Sequence, residues 1–409
     1  MLERLATRRS RSLLSGAAIV TIAALLVSGP SALPAAAHAR QGNHRSASGH
    51  RGRNHHGGRT SGHFANRVFA SGTTVTHPGG NGREPVSNPD DITYLDGHIF
   101  VGFQNGVGPQ GQPSSTGNTN STIVEWDRHG KLVNQWDIAG KCDGLTADPG
   151  THRLIATVNE DLNSSLYEID PQRSAAPVHF AYNESLPSNG GTDAISIYHG
   201  EILISASAPG TTGAAAPQPT YPAVYRVALD DATHVATLEP LFYDEDSATV
   251  ANRDRAQYGT QVSLALTDPD SNEDVPSYAP RFAGEFMLTS QGDKQQIFVR
   301  DERARHQHLW VLNLSDSVDD TVWPSDRHGA IFATDSTHNT VNEITGSFSR
   351  GEVFVADTPC GANDAPSACP APGFPANFLG QLNPDTGVVT AVPLQGPTFE
   401  PQGGLLFLP

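Results

Sequence analysis

The sequence lacks the features by which most enzymes and membrane proteins are recognised. After the first 39 residues, no stretch approaches the roughly 18–20 apolar residues that cross a bilayer. The chain contains no G-x-S-x-G, no H-E-x-x-H and no phosphate-cradling G-x-x-x-x-G-K motif. We therefore expect no membrane span, and the motifs point to no particular catalytic chemistry.

Cysteine is also scarce, with three in 409 residues. In an exported protein, Cys360 and Cys369 can close the loop "CGANDAPSAC", a cross-link worth roughly 2–3 kcal/mol by loop entropy. Cys142 then has no partner, and it precedes an apolar run. We predict a local disulfide and one buried, inert thiol.

The first 39 residues are predicted to be a signal peptide. Four arginines precede a short apolar segment at 16–27, and "AHA" at 37–39 is a small-residue cleavage site. Arg11 occupies the place where a twin-arginine signal has a bulky apolar residue, so general secretory and twin-arginine export both stay open. Either route predicts a secreted, extracellular protein.

Residues 40–64 have a different composition, with Gly, Ser, Asn, five Arg and five His and almost nothing to bury. This composition predicts a disordered linker, with weak metal binding by the histidines as the alternative. The remaining residues, 65–409, are predicted to form a single domain.

Basic residues are concentrated before that domain. The net charge of the whole chain is −17. The leader carries +3 and the linker +5, so the net charge of residues 65–409 is −25. Such an acidic body argues against nucleic acid and against anionic membranes. It is compatible with cations, neutral ligands or basic partners. We expect a monomer that binds an unidentified ligand or protein.

What the sequence does contain is one repeated pattern of short strands. The pattern ends in an apolar strand followed by Asp or Asn and a turn: "TIVEWD", "SLYEID", "AVYRVAL", "HLWVLNL", "TVNEIT" and "FLGQLN". The strand before this one also recurs. Further upstream comes a short strand that begins near an acidic residue. A period near 40 residues with about four short strands each predicts an all-β propeller.

Six units can be counted, each assigned to consecutive strands, so that "DDTVWP", "AIFATD" and "TVNEIT" form the fifth. An interval of 85 residues between the third and fourth units predicts either a seventh unit at 245–282 or an insertion. The last strand, "PQGGLLFLP", has no outer companions. We predict that residues 67–76 supply an outer strand to this last blade and close the ring.

These strand and turn positions resemble propellers of the NHL-repeat type and of the gluconolactonase and streptogramin-lyase superfamily, including exported actinobacterial propellers. The resemblance covers residues 65–409 and implies the fold more than an activity. Gluconolactonases hold a divalent metal with ligands from different blades. Asn159, Glu160 and Asp161 share one turn, so we assign none of them that role.

The main candidate site residues are acids at the inner strands: Asp90, Asp91, Asp143, Asp193, Asp319 and Asp320. Equivalent positions of successive blades fall on one ring around the axis, and we place Asp91, Asp143, Asp193 and Asp320 at the same position. Their oxygens suit Ca²⁺, and their mutual repulsion would raise some of their pKa values. The alternative is that each Asp bonds N–H groups of its own turn. The fourth and sixth units offer Glu285 and Gln402 instead.

A second candidate is the segment "DPDSNED". The spacing of Asp268, Asp270 and Asn272 resembles the start of a calcium-binding loop. Glu273 stands where that loop has Gly, and Ala279 where it has its bidentate Glu. A solvated acidic turn is the alternative.

Together these observations favour an exported propeller acting as a binding or scaffold module, with a divalent cation, Ca²⁺, stabilising its axis. The alternative function is a metal-dependent hydrolase or lyase with its site at the centre of the propeller. The enzyme requires three or more ligands from different blades to converge on the axis. A scaffold requires an axis whose acids bond to the backbone.

Overall fold

Short strands, most of them buried on both faces, make up nearly all of the fold. The computed structural model describes residues 64–173, 175–187, 190–207, 221–301, 303, 307–358 and 376–409. The predicted signal peptide, nearly all of the linker, Cys360 and Cys369 lie outside these residues. Within them, no helix is long and apolar enough to span a membrane.

Four-stranded antiparallel blades are arranged in the order that the repeats predict for the first half of the chain. Blade 1 contains β4 (Pro89–Leu95), β5 (His98–Phe103), β6 (Asn120–Asp127) and β7 (Leu132–Ala139). Blade 2 contains β8 (Cys142–Asp148), β9 (Arg153–Val158), β10 (Ser165–Ile169) and β11 (Val178–Tyr182). Blade 3 contains β12 (Gly191–Tyr198), β13 (Glu201–Ser207), β14 (Pro222–Asp230) and β15 (Val235–Tyr243).

The second half departs from a simple succession of strands. Blade 4 contains β18 (Pro269–Asp274), β19 (Phe286–Ser290), β20 (Gln295–Arg300) and β21 (His308–Asn313), with β16 (Ser247–Val250) and β17 (Gln261–Ser263) outside them. Blade 5 contains β22 (Val318–Val322), β25 (Val353–Asp357), β26 (Phe378–Leu382) and β27 (Val389–Ala391). Blade 6 contains β29 (Leu405–Leu408), β23 (Ala330–Asp335), β24 (Thr340–Thr345), β1 (Phe64–Ser71) and the edge strand β28 (Leu394–Gln395).

Two further elements lie between β1 and the first blade. A single 3₁₀ turn covers Gly72–Thr74, and β2 (Thr76–Gly79) pairs with β3 (Gly82–Pro85) as a separate hairpin.

The blades form a closed ring around an axis. The inner strands contact one another in the order β4, β8, β12, β18, β22 and β29, and β29 contacts β4 again. Five of the six recurrent apolar strands of the sequence are the third strands of their blades, whereas "HLWVLN" is β21, the fourth strand of blade 4. The described residues therefore form a six-bladed propeller, as the repeat period predicts.

The apolar core is divided among the blade interfaces, with one cluster at each of the six. Strand β5 shows how the sequence does this. Ile99, Val101 and Phe103 pack with blade 6, whereas Phe100 packs with blade 2. Successive side chains of a strand point to opposite faces, so an uninterrupted apolar run serves both neighbouring blades.

Tight turns join neighbouring strands within a blade. Asp96 and Gly97 link β4 to β5 with φ values of 49° and 94°. Two-residue hairpins in which both central residues have positive φ match the right-handed twist of the flanking strands, and Asp-Gly favours this geometry.

The assignment of strands to blades 5 and 6 corrects our prediction. Strand β22 pairs with β25, whereas β23 and β24 belong to blade 6. The chain thus leaves blade 5 after its inner strand, builds two strands of blade 6 and returns. The apolar pattern identifies each strand but does not specify the strand with which it pairs, so the sequence did not reveal this exchange.

Both ends of the domain complete blade 6. Strand β1 pairs antiparallel with β24 on one side, and β29 pairs antiparallel with β23 on the other. Phe64 packs against Phe348 and Phe354. The predicted closing strand is confirmed, although it spans Phe64–Ser71 rather than 67–76.

The long interval between the third and fourth repeats is an insertion, not a seventh blade. Strand β16 runs parallel to β21 at the outer edge of blade 4 and forms a hairpin with β17. The hairpin extends this sheet instead of adding an inner strand to the axis.

Candidate functional site

The inner strands of blades 1 to 5 are interrupted at the same point. Each loses its regular pairing with the second strand for two residues: between Pro89 and Ile92, Cys142 and Leu145, Thr192 and Ile195, Pro269 and Asn272, and Val318 and Thr321. A β-bulge of this kind leaves residues unpaired and redirects their side chains. The repeated bulge sets the register of the axial residues.

The first bulge residue is an aspartate in all five of these blades. We call this set the axial ring: Asp90, Asp143, Asp193, Asp270 and Asp319. Gly403 stands at the corresponding place in blade 6. Our predicted equivalence was therefore one residue out at Asp91 and Asp320, which occupy the second bulge position.

The fourth blade contributes Asp270 to the ring, not Glu285. Glu285 is buried and forms an ion pair with Arg300. Asp270 and Asn272 lie within strand β18 rather than in a loop. Asn272 donates from Nδ2 to the carbonyl oxygen of Ala194, 2.8 Å away in blade 3. Asp270 follows Pro269 at the start of an inner strand, and this position could have identified it as a ring residue. We instead interpreted its spacing from Asp268 and Asn272 as a calcium loop.

Asp91 and Asp320, which we call the blade clamps, bond to the backbone of the next blade. Asp91 accepts from the N–H of Ile92 at 2.6 Å and of Leu145 at 2.7 Å. Asp320 accepts from Thr321 N–H at 2.6 Å and from Leu405 N–H. The backbone-bonding alternative thus describes these two acids, with the addition that one bond of each crosses a blade interface.

Glycine precedes the residue that each clamp contacts in the next blade. A Cβ on Gly404 would lie 2.6 Å from the N atom of Ile92, and a Cβ on Gly144 would lie 2.6 Å from the carbonyl oxygen of Asp193. Real Cβ atoms do not approach so closely. Each clamp therefore bonds its inner strand to that of the next blade, and the glycine lets this next strand come close to the inner strand of the blade beyond it.

Two members of the axial ring have protein partners. Asp143 contacts the Lys141 ammonium at 2.9 Å and accepts from Gln104 Nε2 at 3.2 Å. Lys141 also forms an ion pair with Glu160. Asp319 accepts from the N–H of Gly403 at 3.0 Å. Sequence reasoning did not assign Lys141 or Glu160 to this site, because Lys141 lies just before β8 and Glu160 reaches it from the distant β9–β10 loop of the same blade.

The carboxyl groups of the other three members, Asp90, Asp193 and Asp270, accept no hydrogen bond from the described residues and form no ion pair with them. They come from blades 1, 3 and 4. Their carboxyl groups instead face a central cavity of about 810 Å³.

The walls of this axial cavity are strongly acidic. Ten acidic residues and one basic residue, Lys141, line it within the described part of the chain. The acids are Asp90, Asp91, Asp143, Glu160, Asp193, Asp268, Asp270, Glu273, Asp319 and Asp320. Ile92, Leu145 and Ile195 also border it, although their side chains are buried in the clusters between blades.

Burial is the main cause of raised pKa values in the ring. Burial and then repulsion from Asp143 raise the pKa of Asp90 and of Asp193 well above the usual value. Burial, followed by repulsion from Asp319, does the same for the pKa of Asp270. Burial also raises the pKa of Asp143 to about 7, although Lys141 opposes this, and that of Asp319 to about 6.

The clamps and the lysine respond to the same environment. Burial raises the pKa of Asp320 to about 7, against the effect of its two backbone N–H donors. Burial lowers the pKa of Lys141, but the carboxylates of Asp143, Glu160 and Asp90 raise it by more, so Lys141 stays charged. Around neutral pH the cavity thus holds several protons that a positive charge could displace.

The acids are distributed around the cavity rather than gathered at one point. Among the described residues, no three His, Cys, Asp or Glu side chains are grouped closely enough to hold a metal ion. The residues as placed therefore do not form the converging ligand set that a catalytic metal requires. Metal binding at Asp91, Asp143, Asp193 and Asp320, and at Asp268, Asp270 and Asn272, stays a prediction.

Cys142 is buried and free, as predicted. It belongs to the apolar cluster between blades 1 and 2. Burial raises the pKa of its thiol, which disfavours the reactive thiolate.

Comparison with known proteins gives structural similarity without a family. No family model and no curated protein sequence matches this chain. A periplasmic gluconolactonase of Pseudomonas aeruginosa is 13% identical, with a TM-score of 0.46 over 85% of this chain and 99% of that chain. A virginiamycin B lyase of Staphylococcus aureus is 11% identical, with a TM-score of 0.40 over 84% and 95%. A Lactobacillus plantarum protein is 11% identical, with a TM-score of 0.42 over 85% and 100%.

Proposed function

We propose that this chain is a secreted binding propeller that takes up positive charge in its axial cavity. The observation that carries the proposal is the exposure of Asp90, Asp193 and Asp270 to the cavity without protein donors. Three carboxyl groups from three blades, left open in this way, are costly unless a proton or a cation compensates them. A bound cation would let them ionise.

Ca²⁺ is the simplest cation with which to test the proposal. It accepts six to eight oxygen ligands in flexible geometry, and the ring and its neighbours offer oxygens from five blades. Stabilisation of the axis by Ca²⁺ stays part of the proposal, although side chains would have to converge to coordinate the ion.

The test is thermal unfolding of the full chain across a range of Ca²⁺ concentrations. Binding to the folded state should raise Tm with saturation, and Ca²⁺ at 100 times Kd should add about 2.7 kcal/mol. The double variant Asp193→Asn/Asp270→Asn should lose this response. Asp231→Asn/Asp254→Asn removes the same charge from exposed positions and should keep it. An equal response in both variants would contradict the proposal.

The alternative function, a hydrolase or lyase acting at the axis, is favoured by one observation. Asp143 faces the cavity beside Lys141, and burial raises its pKa to about 7. A general acid or base works best when its pKa is near the operating pH. Hydrolysis of lactones or esters that Asp143→Asn abolishes, with cation binding retained, would favour this alternative.

A further inference from the structure

We infer that the ligand of the axial cavity is a small organic molecule with two or more ammonium groups, such as an aliphatic polyamine. The inference rests on the proposed function, because it names the class of cation that the acidic cavity takes.

The first argument is the size of the cavity. A volume of about 810 Å³ falls in the roughly 300–1,000 Å³ range of small-molecule sites. A single metal ion with ligands about 2.0–2.6 Å away would fill a small part of it. The acids also surround the cavity instead of meeting at one point, so charges several bonds apart in one ligand fit their distribution.

The second argument is a set of buried polar atoms without partners. Asp143 Oδ2, Asn272 Oδ1 and Ser196 Oγ have no hydrogen-bond partner. Their residues line the cavity and are 5%, 4% and 9% exposed, respectively. Two of these atoms are acceptors only, and the hydroxyl can accept. These atoms are closed off from the cavity as the side chains stand. Because an unpaired buried acceptor is costly, a ligand rich in N–H donors would pair them when the side chains turn towards it.

The third argument is that the cavity already holds one primary ammonium group. The Lys141 Nζ contacts both Asp143 and Glu160. An –NH₃⁺ group has three donors, and the two carboxylates around Lys141 show how acids of the cavity wall can bind one. Lys141 occupies the blade 2 sector and leaves Asp90, Asp193 and Asp270 for the ammonium groups of a ligand.

The experiment is calorimetric titration of the full chain at pH 7 with spermidine, butylamine and Ca²⁺ in turn. Spermidine should bind saturably, and at least about tenfold more tightly than butylamine, because each additional charge-assisted hydrogen bond contributes about 1.5–3 kcal/mol. The variant Asp193→Asn/Asp270→Asn should weaken spermidine binding by about tenfold or more on the same basis. The exposed control Asp231→Asn/Asp254→Asn should leave the affinity within about twofold, as expected for screened surface charges.

The outcomes separate this inference from the proposed function. If Ca²⁺ binds with dependence on Asp193 and Asp270 while spermidine does not bind, the inference fails and the proposed function stands. If neither cation binds, both fail. If spermidine affinity falls equally in the ring variant and the exposed control, the binding is a general attraction to an acidic protein, and the inference is overturned.

Discussion

The blade interfaces are apolar, whereas the axis that they surround is acidic. Each interface holds an apolar cluster of strand residues, whereas the axis holds ten acids around a cavity. Apolar burial stabilises a fold at about 25 cal/mol per Å², and buried carboxyl groups oppose it unless they are paired. The stability of this propeller therefore resides in its interfaces, which leaves the axis available for binding.

The axis itself contains a second contrast, between adjacent residues. Asp90 and Asp91 are neighbours in the chain, yet the carboxylate of Asp91 accepts two backbone N–H groups and the carboxylate of Asp90 accepts none from the described residues. The clamps join inner strands, and the open ring acids face the cavity. Structural and ligand-binding roles are thus separated by one residue of register.

The largest effect is expected at an interface. Phe103 is fully buried between blades 6 and 1 and packs edge-on against Trp126, with the ring centroids 5.9 Å apart. Phe103→Ala should lower the free energy of unfolding by about 3–5 kcal/mol, as measured by urea denaturation. Cation binding by the folded fraction should be unchanged. A cost below about 1 kcal/mol would contradict the placement of stability in the interfaces.

A smaller effect should separate the clamps from the ring. Asp91→Ala leaves the N–H groups of Ile92 and Leu145 without their acceptor, at about 1–3 kcal/mol for each group that stays buried. Asp193→Ala removes no protein hydrogen bond and relieves a buried acid, so urea denaturation should show little loss of stability or a gain. Equal losses in the two variants would show that the division between clamp and ring is wrong.

The last prediction concerns the dependence of stability on pH. The pKa of Asp357 rises to about 8, through burial and then repulsion from Asp316. Its side chain is fully buried, and both carboxyl oxygens lack partners among the described residues. Because the folded pKa exceeds the unfolded one, the folded chain keeps a proton that the unfolded chain has released. Stability from this group is complete below about pH 4 and declines as pH rises towards 8.

Asp319, Asp143 and Asp320 add to the same trend, because burial raises their pKa values to about 6, 7 and 7. Unfolding free energy should therefore fall between pH 5 and pH 8, as followed by urea denaturation at each pH. Asp357→Asn should reduce the fall and be more stable than the parent chain at pH 8. A parent chain that gains stability over this interval would contradict the raised pKa values.

The predicted disulfide between Cys360 and Cys369, the signal peptide and the linker stay predictions. Each rests on composition and spacing in segments outside the described residues. Mass analysis without reductant would test the disulfide directly.

Much of the fold could be predicted because it depends on local pattern. The run Ile99 to Phe103 is apolar at every position except Gly102, and a strand with two covered faces needs such a run. The recurrence of one apolar strand in each blade indicated six blades, and the unpaired last strand indicated that an N-terminal strand must complete its blade. These signals are short-range periodicities, which a single sequence displays directly.

The candidate site could be predicted only in part. The sequence alone determined that acids recur near the start of the inner strands and that the body is strongly negative. The tertiary structure decided which acids face the cavity, because a bulge shifts the register and a shift of one residue exchanges the two faces of a strand. The pairing of β8 with β9 placed Lys141 and Glu160 beside Asp143 within blade 2, and contacts between blades set β23 and β24 in blade 6. These features depend on which strands pair and pack around the axis, and the local periodicity of the sequence does not specify that pairing.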